Sequence, residues 1–504
     1  MDLFTLPALF SWMDMTTCLV FVTTFLSGIL WKSSRRDGRL PPGPPPWPFI
    51  GNLPQMIAGM RKHRAQSKMN QELSEKYGPV FSMRVGPKDM VLVTGYEEIK
   101  EVLLTNASDF VDRPMDPFFF EFNHGNGMIF CNGKKWEEVR KFTVMALRDF
   151  GVGKRSLESI IQTEAEIVCE KMAASKEPFH PKHLLTLAVT NVIFSIIFGD
   201  RFEYDDQEFL EVLEMMDYMA RTLGHTMIDR YLPFLLYLPI DTPRKKIIRD
   251  RYLMEKYTYK KIEEHKQTYD PNVTRDYIDL YLKICAEGHK YETLTEPHIF
   301  QTILDLYFAG AETTSTSMDW FLLFMVAFPE IQAKCQKEID EVVGDGRKVS
   351  MADKKLMPYM TAVLLELQRI ANVVPISIPH CTAKDTLLNG YLIPAKTIVL
   401  LQLLSIHIDP KLFPEPLKYK PDRWLDENNQ VIKDEHLIPF GIGPRRCVGE
   451  PLAKMELFIF ATNFLQQYNF KLADGHSEPS LEGIHTGITM RAKPYCINVV
   501  PRKM

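Results

Sequence analysis

Apolar residues recur every three to four positions along much of the chain. Glu164–Ala174, Lys246–Lys266, Glu296–Ala327 and Pro358–Ala371 carry this period. It predicts helices, because a turn of 3.6 residues puts such positions on one face. The segment Val448 to Phe458 reads the same way. Short apolar runs bounded by Gly and Pro, at Val80–Val85, Asp89–Val93, Leu387–Ile393 and Thr397–Leu400, predict strands. The expected fold is therefore mainly α with small β-sheets. After Pro375 the pattern breaks, with Pro379, Pro394, Pro410, Pro414, Pro416 and Pro421 following. Such spacing predicts irregular structure wrapped around a site. No internal repeat interrupts this picture.

The N-terminus follows a different rule. From Leu3 to Trp31 the only charged residue is Asp14, and Thr16 to Trp31 is the apolar heart. As a helix that heart covers about 24 Å against a hydrocarbon core of roughly 30 Å, so flanking residues must supply the rest. Lys32, Arg35, Arg36 and Arg39 follow at once. Basic residues stay cytoplasmic, so the body is expected in the cytosol. A cleaved signal would carry its charge before the apolar run. Residues 1–31 are thus expected as an uncleaved membrane anchor. Residues 32–48, with Pro41, Pro42, Pro44, Pro45, Pro46 and Pro48, read as a stiff basic and Pro-rich linker. Residues 49–504 are the expected body.

Composition narrows the class. Of the 504 residues 45% are hydrophobic and 25% charged, which suits a globular body with a sizeable core. A formal charge of -4 and a pI of about 6.4 give no footing for nucleic acid. The eight cysteines include no CxxC, which argues against structural zinc and for reduced thiols.

One cysteine stands in a distinctive setting, Phe440-Gly441-Ile442-Gly443-Pro444-Arg445-Arg446-Cys447-Val448-Gly449. A metal-binding thiolate needs a lowered pKa, and the start of the helix after Cys447 offers a favourable dipole and unpaired N–H groups. Gly443 and Gly449 suit tight turns and close approach to a flat ligand. The order F-x-x-G-x-R-x-C-x-G resembles the cytochrome P-450 superfamily, and the likeness runs across nearly the whole chain. It is closest to the microsomal family-2 type, also in Arg148 to Arg155. The resemblance implies that fold, with haem b between a long distal helix and the cysteine-loop helix. It implies Cys447 as the iron ligand, Arg445 on a propionate and Phe440 packed near the thiolate. A thiolate ligand favours O–O cleavage, so oxygen activation is expected rather than oxygen carriage.

Other segments extend the likeness. Ala309-Gly310-Ala311-Glu312-Thr313-Thr314 lies within the long apolar helix. A glycine there and a Thr313 back-bond are expected to distort the helix and admit dioxygen. Glu312 and Thr313 are the expected acid–alcohol pair that relays protons. Glu366 and Arg369 share a helix face and, with Arg423, resemble the family's buried structural ion cluster. Trp136 and Arg140 resemble its propionate pair. His380 sits where many relatives carry Arg, which implies a weaker, pH-dependent propionate contact; an ordinary loop histidine is the alternative. Phe118, Phe119, Phe120, Phe122, Phe308, Ala309, Thr313, Val374, Ile376 and Ile488 are expected to face a lipophilic substrate.

No nucleotide-binding glycine pattern appears, so electrons must come from a separate protein. The resemblance implies the membrane-bound NADPH–cytochrome P-450 reductase, with cytochrome b5 as a possible second donor, at the endoplasmic reticulum. Lys134, Lys135, Lys141, Arg446 and Lys454 are the candidate basic docking face. The expected reaction inserts one oxygen atom into a fatty acid, steroid or xenobiotic. Two other readings stay open: a haem-thiolate isomerase of lipid hydroperoxides, and a non-enzymatic haem sensor or electron carrier.

Overall fold

A computed structural model describes residues 15–34, 38–63, 66–115, 117–150, 155–175, 177–223, 238–288, 291–344, 346–475 and 478–502. Helices dominate. The expected spans Glu296–Ala327 and Pro358–Ala371 form as read, while the other two lengthen to Arg155–Ala174 and Pro243–Thr268. Local chemistry sets several ends. Thr242 accepts the Lys245 N–H at 3.4 Å and Asp276 that of Asp279 at 2.9 Å, each satisfying a donor the first turn leaves open. Pro358 starts its helix and Asn372 ends it in the left-handed region at φ 35°.

The central helix, Glu296–Ala327, is buried almost all round. It packs against Lys182–Phe198, itself apolar on every side. That second helix carries no period and escapes a reading based on periodicity. Gly310 is what lets the two approach: a Cβ there would meet Ile193 Cδ1 at 2.6 Å. The glycine serves helix packing, and the helix runs on unbroken, contrary to the expected distortion.

The strands are β1 (Val80–Val85), β2 (Lys88–Val93), β3 (His380–Cys381), β4 (Thr386–Leu388), β5 (Tyr391–Ile393), β6 (Ile398–Leu401), β7 (Tyr468–Leu472), β8 (Ile484–Thr486), β9 (Thr489–Arg491) and β10 (Ile497–Pro501). The largest sheet has order β1-β2-β6-β3, with β2 and β6 parallel from Met90↔Ile398 to Val93↔Leu401. It brings the Pro375–Leu401 region against the N-terminal part of the body.

The Pro-rich stretch is not a free spacer. Ser82 donates to the Pro41 carbonyl at 2.6 Å through its hydroxyl and to Pro42 at 2.8 Å through its backbone. Asn52 donates to Pro44 and Pro45, both at 3.0 Å, and Leu40 is buried. Proline lacks an N–H but keeps its carbonyl, so this segment docks as an acceptor strip. The body thus takes in residues from Leu40, which corrects the expected boundary at 49. Residues 1–14 of the expected anchor lie outside the described residues.

Candidate haem and substrate site

Cys447 precedes the helix Glu450–Gln467. Its backbone N–H donates to the Phe440 carbonyl at 3.0 Å, which closes the loop. Gly443 sits at φ +79°, and a Cβ there would meet the Leu103 carbonyl oxygen at 2.0 Å. Only glycine fits. Gly449 differs from expectation: its φ is -83°, so its backbone needs no special freedom. Its N–H instead reaches the thiol, as does that of Glu450.

Of the eight cysteines, none disulfide-bonded, Cys447 alone is exposed. The thiol nevertheless lies deep in the body. Burial pushes its pKa above the ordinary thiol value, against the pull of the Gly449 and Glu450 N–H groups and Arg140. The helix start favours the thiolate as expected, but burial outweighs it. Coordination to a cation deprotonates a thiol outright, so a metal would complete what the dipoles begin.

The segment 110–132 ties this loop to the central helix. Arg445 donates to the carbonyls of Val111 at 2.9 Å and Cys131 at 2.8 Å. Asp305, on the central helix, accepts the N–H groups of Met128 and Ile129 at 2.6 and 2.9 Å. On the central helix an opening remains at Ala309, exposed while Phe308 and Ala311 are buried, and at Thr313, half-open on the same face. The Thr313 hydroxyl donates to the Ala309 carbonyl at 2.7 Å, the back-bond expected from sequence.

A cluster of cations flanks this opening. Arg445 lies 4.0 Å over the Trp136 ring and Arg140 lies 5.9 Å from it. Arg113, buried beside them, donates to the carbonyls of Ile378 at 2.8 Å and Pro379 at 3.0 Å. Burial lowers all three guanidinium pKa values, Arg445 to about 10, and neighbouring cations add to it: Arg445 and Arg140 on Arg113, Arg446 on Arg140, and Arg140 on Arg445. Among the described residues no carboxylate forms an ion pair with any of them; their N–H groups reach carbonyls instead. Uncompensated buried cations are costly. This set fits a guest with two carboxylates and a flat body, which is what haem b brings.

His380 donates from Nδ1 to the Phe110 carbonyl at 2.8 Å, so that nitrogen carries the proton. Burial and the nearby Arg113 and Arg445 hold its pKa well below the histidine range. It is a neutral group at physiological pH, so the expected pH-dependent contact is not supported.

Glu312 and Thr313 do not form a direct pair. The Glu312 carboxylate accepts from Thr316 at 3.0 Å, Thr489 at 2.8 Å and Arg491 at 2.8 Å, with Lys182 at 3.5 Å. Adjacent helix positions point 100° apart, so the acid turns into this network while the alcohol faces the opening. Lys182 and Arg491 outweigh burial and hold the acid below the usual glutamate range. Lys182, Thr489 and Arg491 carried no sequence signal, because each meets Glu312 over more than a hundred positions. Arg113 was missed for the same reason.

A cavity of about 250 Å³ lies beside this opening, lined by Phe119, Phe122, Phe308, Ile376 and Ile488 as expected. Phe118 is not among its lining residues but is fully buried beneath Arg244, and Phe120 is 57% exposed on the outside. A helix cannot turn Phe118, Phe119, Phe120 and Phe122 all to one side. Ala309 and Val374 do not line this cavity either.

Elsewhere Glu366, Arg369 and Arg423 meet as expected, with Arg369 at 2.7 Å and Arg423 at 3.1 Å from the carboxylate.

A family model described as cytochrome P450 matches residues 41–499. The chain belongs to the cytochrome P450 family. Cytochrome P450 2H2 of Gallus gallus is 37% identical over 488 residues, 96% of this chain and 98% of the relative. Cytochrome P450 2C23 of Rattus norvegicus is 38% identical over 498 residues, covering 97% and 99%. Cytochrome P450 2C8 of Homo sapiens is 37% identical over 489 residues, covering 96% and 98%. This P450 is a haem-thiolate monooxygenase acting on lipophilic substrates, with haem b and with electrons from NADPH through a reductase. The isomerase and carrier readings are not favoured.

Proposed function

We propose that this P450 hydroxylates or epoxidises a lipophile in the cavity beside Phe308, with Cys447 as iron ligand. Trp136, Arg140 and Arg445, joined by Arg113, would seat the propionates, while His380 spends its one N–H on the Phe110 carbonyl; Phe440, Gly443 and Gly449 shape the loop. The observation that carries this reading is the Cys447 thiol close to Arg113, Arg140 and Arg445, none of which forms an ion pair with a carboxylate among the described residues. When bound, the haem supplies oxygen activation, which a thiolate ligand favours. One oxygen atom enters the substrate and the other leaves as water, with two electrons from NADPH and two protons.

The chain's own part is to shape, dry and protonate the site. Phe119, Phe122 and Phe308 exclude water from the substrate side. Glu312 holds its charge between Lys182 and Arg491, and burial lowers the Lys182 pKa, which makes its ammonium a readier proton donor. A proton held there reaches Thr313 when the Glu312 carboxylate turns from Thr489 toward the opening. Glu366, Arg369 and Arg423 act structurally, fastening the loop before the cysteine segment.

The donor is the membrane-bound NADPH–cytochrome P450 reductase, with cytochrome b5 as second donor. Of the expected docking face, Lys134 pairs with Glu292 and Lys454 with Glu450 at 2.7 Å. Lys135, Lys141 and Arg446 remain, beside a groove that also holds Arg140 and Arg148. Residues 1–31 anchor the chain once in the endoplasmic reticulum membrane, with the catalytic body cytosolic. Among the described residues no helix is long and apolar enough to cross a membrane. The helix Met15–Ser34 does expose Leu19, Phe21, Val22, Phe25 and Leu26, an apolar surface that lipid suits better than water. Reconstitution with reductase, NADPH and a lipophile is expected to consume oxygen and give a monooxygenated product. Turnover of a lipid hydroperoxide alone, with no oxygen uptake, would contradict it.

A further inference from the structure

The helix Pro243–Thr268 braces the cavity wall with its first half and is fastened to the body at its last turn. In the first half Arg244 donates from Nε to Glu121 at 3.0 Å. Arg251 lies 6.0 Å from the Phe122 ring and 5.4 Å from that of Phe300, and donates to Gln301 at 3.5 Å. Phe122 and Gln301 both line the aromatic cavity.

The last turn holds His265, buried against Asp276, which caps the start of the helix Tyr277–Ala286. The His265 Nδ1 is 2.7 Å from the Lys261 carbonyl and its Nε2 is 2.9 Å from Asp276 Oδ2. Asp276 Oδ1 meanwhile accepts the Asp279 N–H at 2.9 Å. A neutral imidazole offers one donor and one acceptor. Here both ring nitrogens face oxygen, and the carbonyl can only accept. The contact to Asp276 therefore needs a second proton, carried on the ring or on the carboxyl. Either way the pair holds one proton more than a neutral histidine beside an ionised aspartate. Without it two lone pairs face each other across a buried contact.

The surroundings favour that proton. Asp279 follows Asp276 on the same helix, and Arg275 spends its guanidinium on it at 2.6 and 2.9 Å. On the histidine's own helix Lys261 pairs with Glu264, and Lys266 with Glu263 and Glu296. The end of Lys182–Phe198 brings Gly199 against the Asp276 carboxylate, and Asp200 acts on Arg275. His265 and Arg275 thus balance Asp276 and Asp279 only while the extra proton stays. The helix ends agree, with a cation in a last turn and an anion at a start. Burial alone would lower the His265 pKa, but the Asp276 contact, the Lys261 carbonyl and the Asp279 charge hold it above the ordinary histidine value.

We propose that the proton shared by His265 and Asp276 is a pH-sensitive latch on the cavity wall. With it, the end of Pro243–Thr268 is fastened to Asp276; without it, that end comes free and the bracing of Phe122 and Gln301 slackens. The folded pair binds the proton more tightly than the unfolded chain. The latch is therefore complete below about pH 6.5 and is lost as pH rises through the folded value. It needs neither haem nor turnover, while its effect on a bound lipophile rests on the substrate reading of the cavity.

Amide hydrogen exchange of residues 260–280 in the holoenzyme tests the latch, read as protection relative to the intrinsic rate at each pH. Between about pH 6 and about pH 9 protection is expected to fall about tenfold. Asp276→Asn is the deciding variant. Its amide oxygen still caps the helix, and its NH2 donates to the bare Nε2 of a neutral histidine. Protection should then stay within about twofold over the same range. Equal protection at both ends of the range in the unaltered enzyme overturns the latch, as does an Asp276→Asn enzyme that loses protection in the same way. Stopped-flow release of methyl laurate, a probe without a titrating group, should quicken about fivefold over that range in the unaltered enzyme and not in Asp276→Asn. Release that does not quicken while protection falls overturns the link to the cavity wall. Monooxygenation of methyl laurate with reductase and NADPH reports separately on the monooxygenase reading, so failure of one is not mistaken for failure of the other.

Discussion

Two arginine clusters sit within this body, and they are built on opposite principles. Around Glu366 the account is closed. Both Glu366 and Arg369 are 0% exposed, and the carboxylate accepts from Arg369, Arg423, the Trp424 indole and the Lys420 backbone. Arg369 also donates to the carbonyls of His407 and Pro416. Around Trp136 it is open: Arg113, Arg140 and Arg445 repel one another and reach only neutral oxygens. Buried charge that is fully paired holds a fold in one arrangement; buried charge of one sign awaits a partner of the other. The first cluster belongs to the architecture, and the second is the one we propose for the cofactor.

The sharpest way to break this contrast is to open the closed cluster. Glu366→Gln leaves two guanidiniums without their counter-ion, at a cost of about 3–5 kcal/mol. The thermal midpoint of the haem-free protein is expected to collapse, and adding haem should not restore it. A melt close to wild type would remove the distinction.

The open cluster should respond the other way. Arg140→Ala deprives one carbonyl, that of Arg446, of its donor and relieves repulsion. Haem-free stability is expected to stay within about 1 kcal/mol. Haem affinity should fall by about 2 kcal/mol, roughly thirtyfold, as an anion loses a buried partner. A haem-release assay beside a melt separates the two effects.

Acid probes the closed side again. His407 accepts the Ile438 N–H on Nε2 at 3.0 Å and donates from Nδ1 to the Asn372 amide oxygen at 2.9 Å. Burial, then Arg369, pushes its pKa down to about 3. The folded state therefore binds the proton less well than the unfolded chain. Its contribution is complete above about pH 6.5 and is lost as pH falls toward 3, at about 1.4 kcal/mol per unit. Denaturant melts across that window should show the slope, and His407→Gln should flatten it.

The smallest effect lies between the clusters. Arg491→Ala leaves Lys182 as the remaining close cation on Glu312, so burial raises the carboxyl pKa. The acid limb of the turnover profile should move to higher pH, with little change in haem content. An unmoved profile would take Glu312 out of the proton path.

What could be read from sequence follows the range of the interaction. The central helix and the Glu366 helix announced themselves by period, and the cysteine loop by a run of ten residues. Lys182–Phe198 did not, since a helix buried on every side has no polar face to mark its turn. The Phe118–Phe122 run was legible as aromatic but not in direction, which the helix alone decides. Arg113, Lys182, Thr489 and Arg491 acquire roles only when segments far apart in sequence meet. The proline strip was misjudged because composition reports stiffness and not what its carbonyls accept from.

The reduced, carbon-monoxide-bound absorption spectrum tests the central assignment most directly. The purified chain is expected to show the long-wavelength Soret band of a thiolate-ligated haem, and Cys447→Ala to lose it. A band typical of histidine ligation, or one unchanged by that substitution, would contradict Cys447 as the iron ligand.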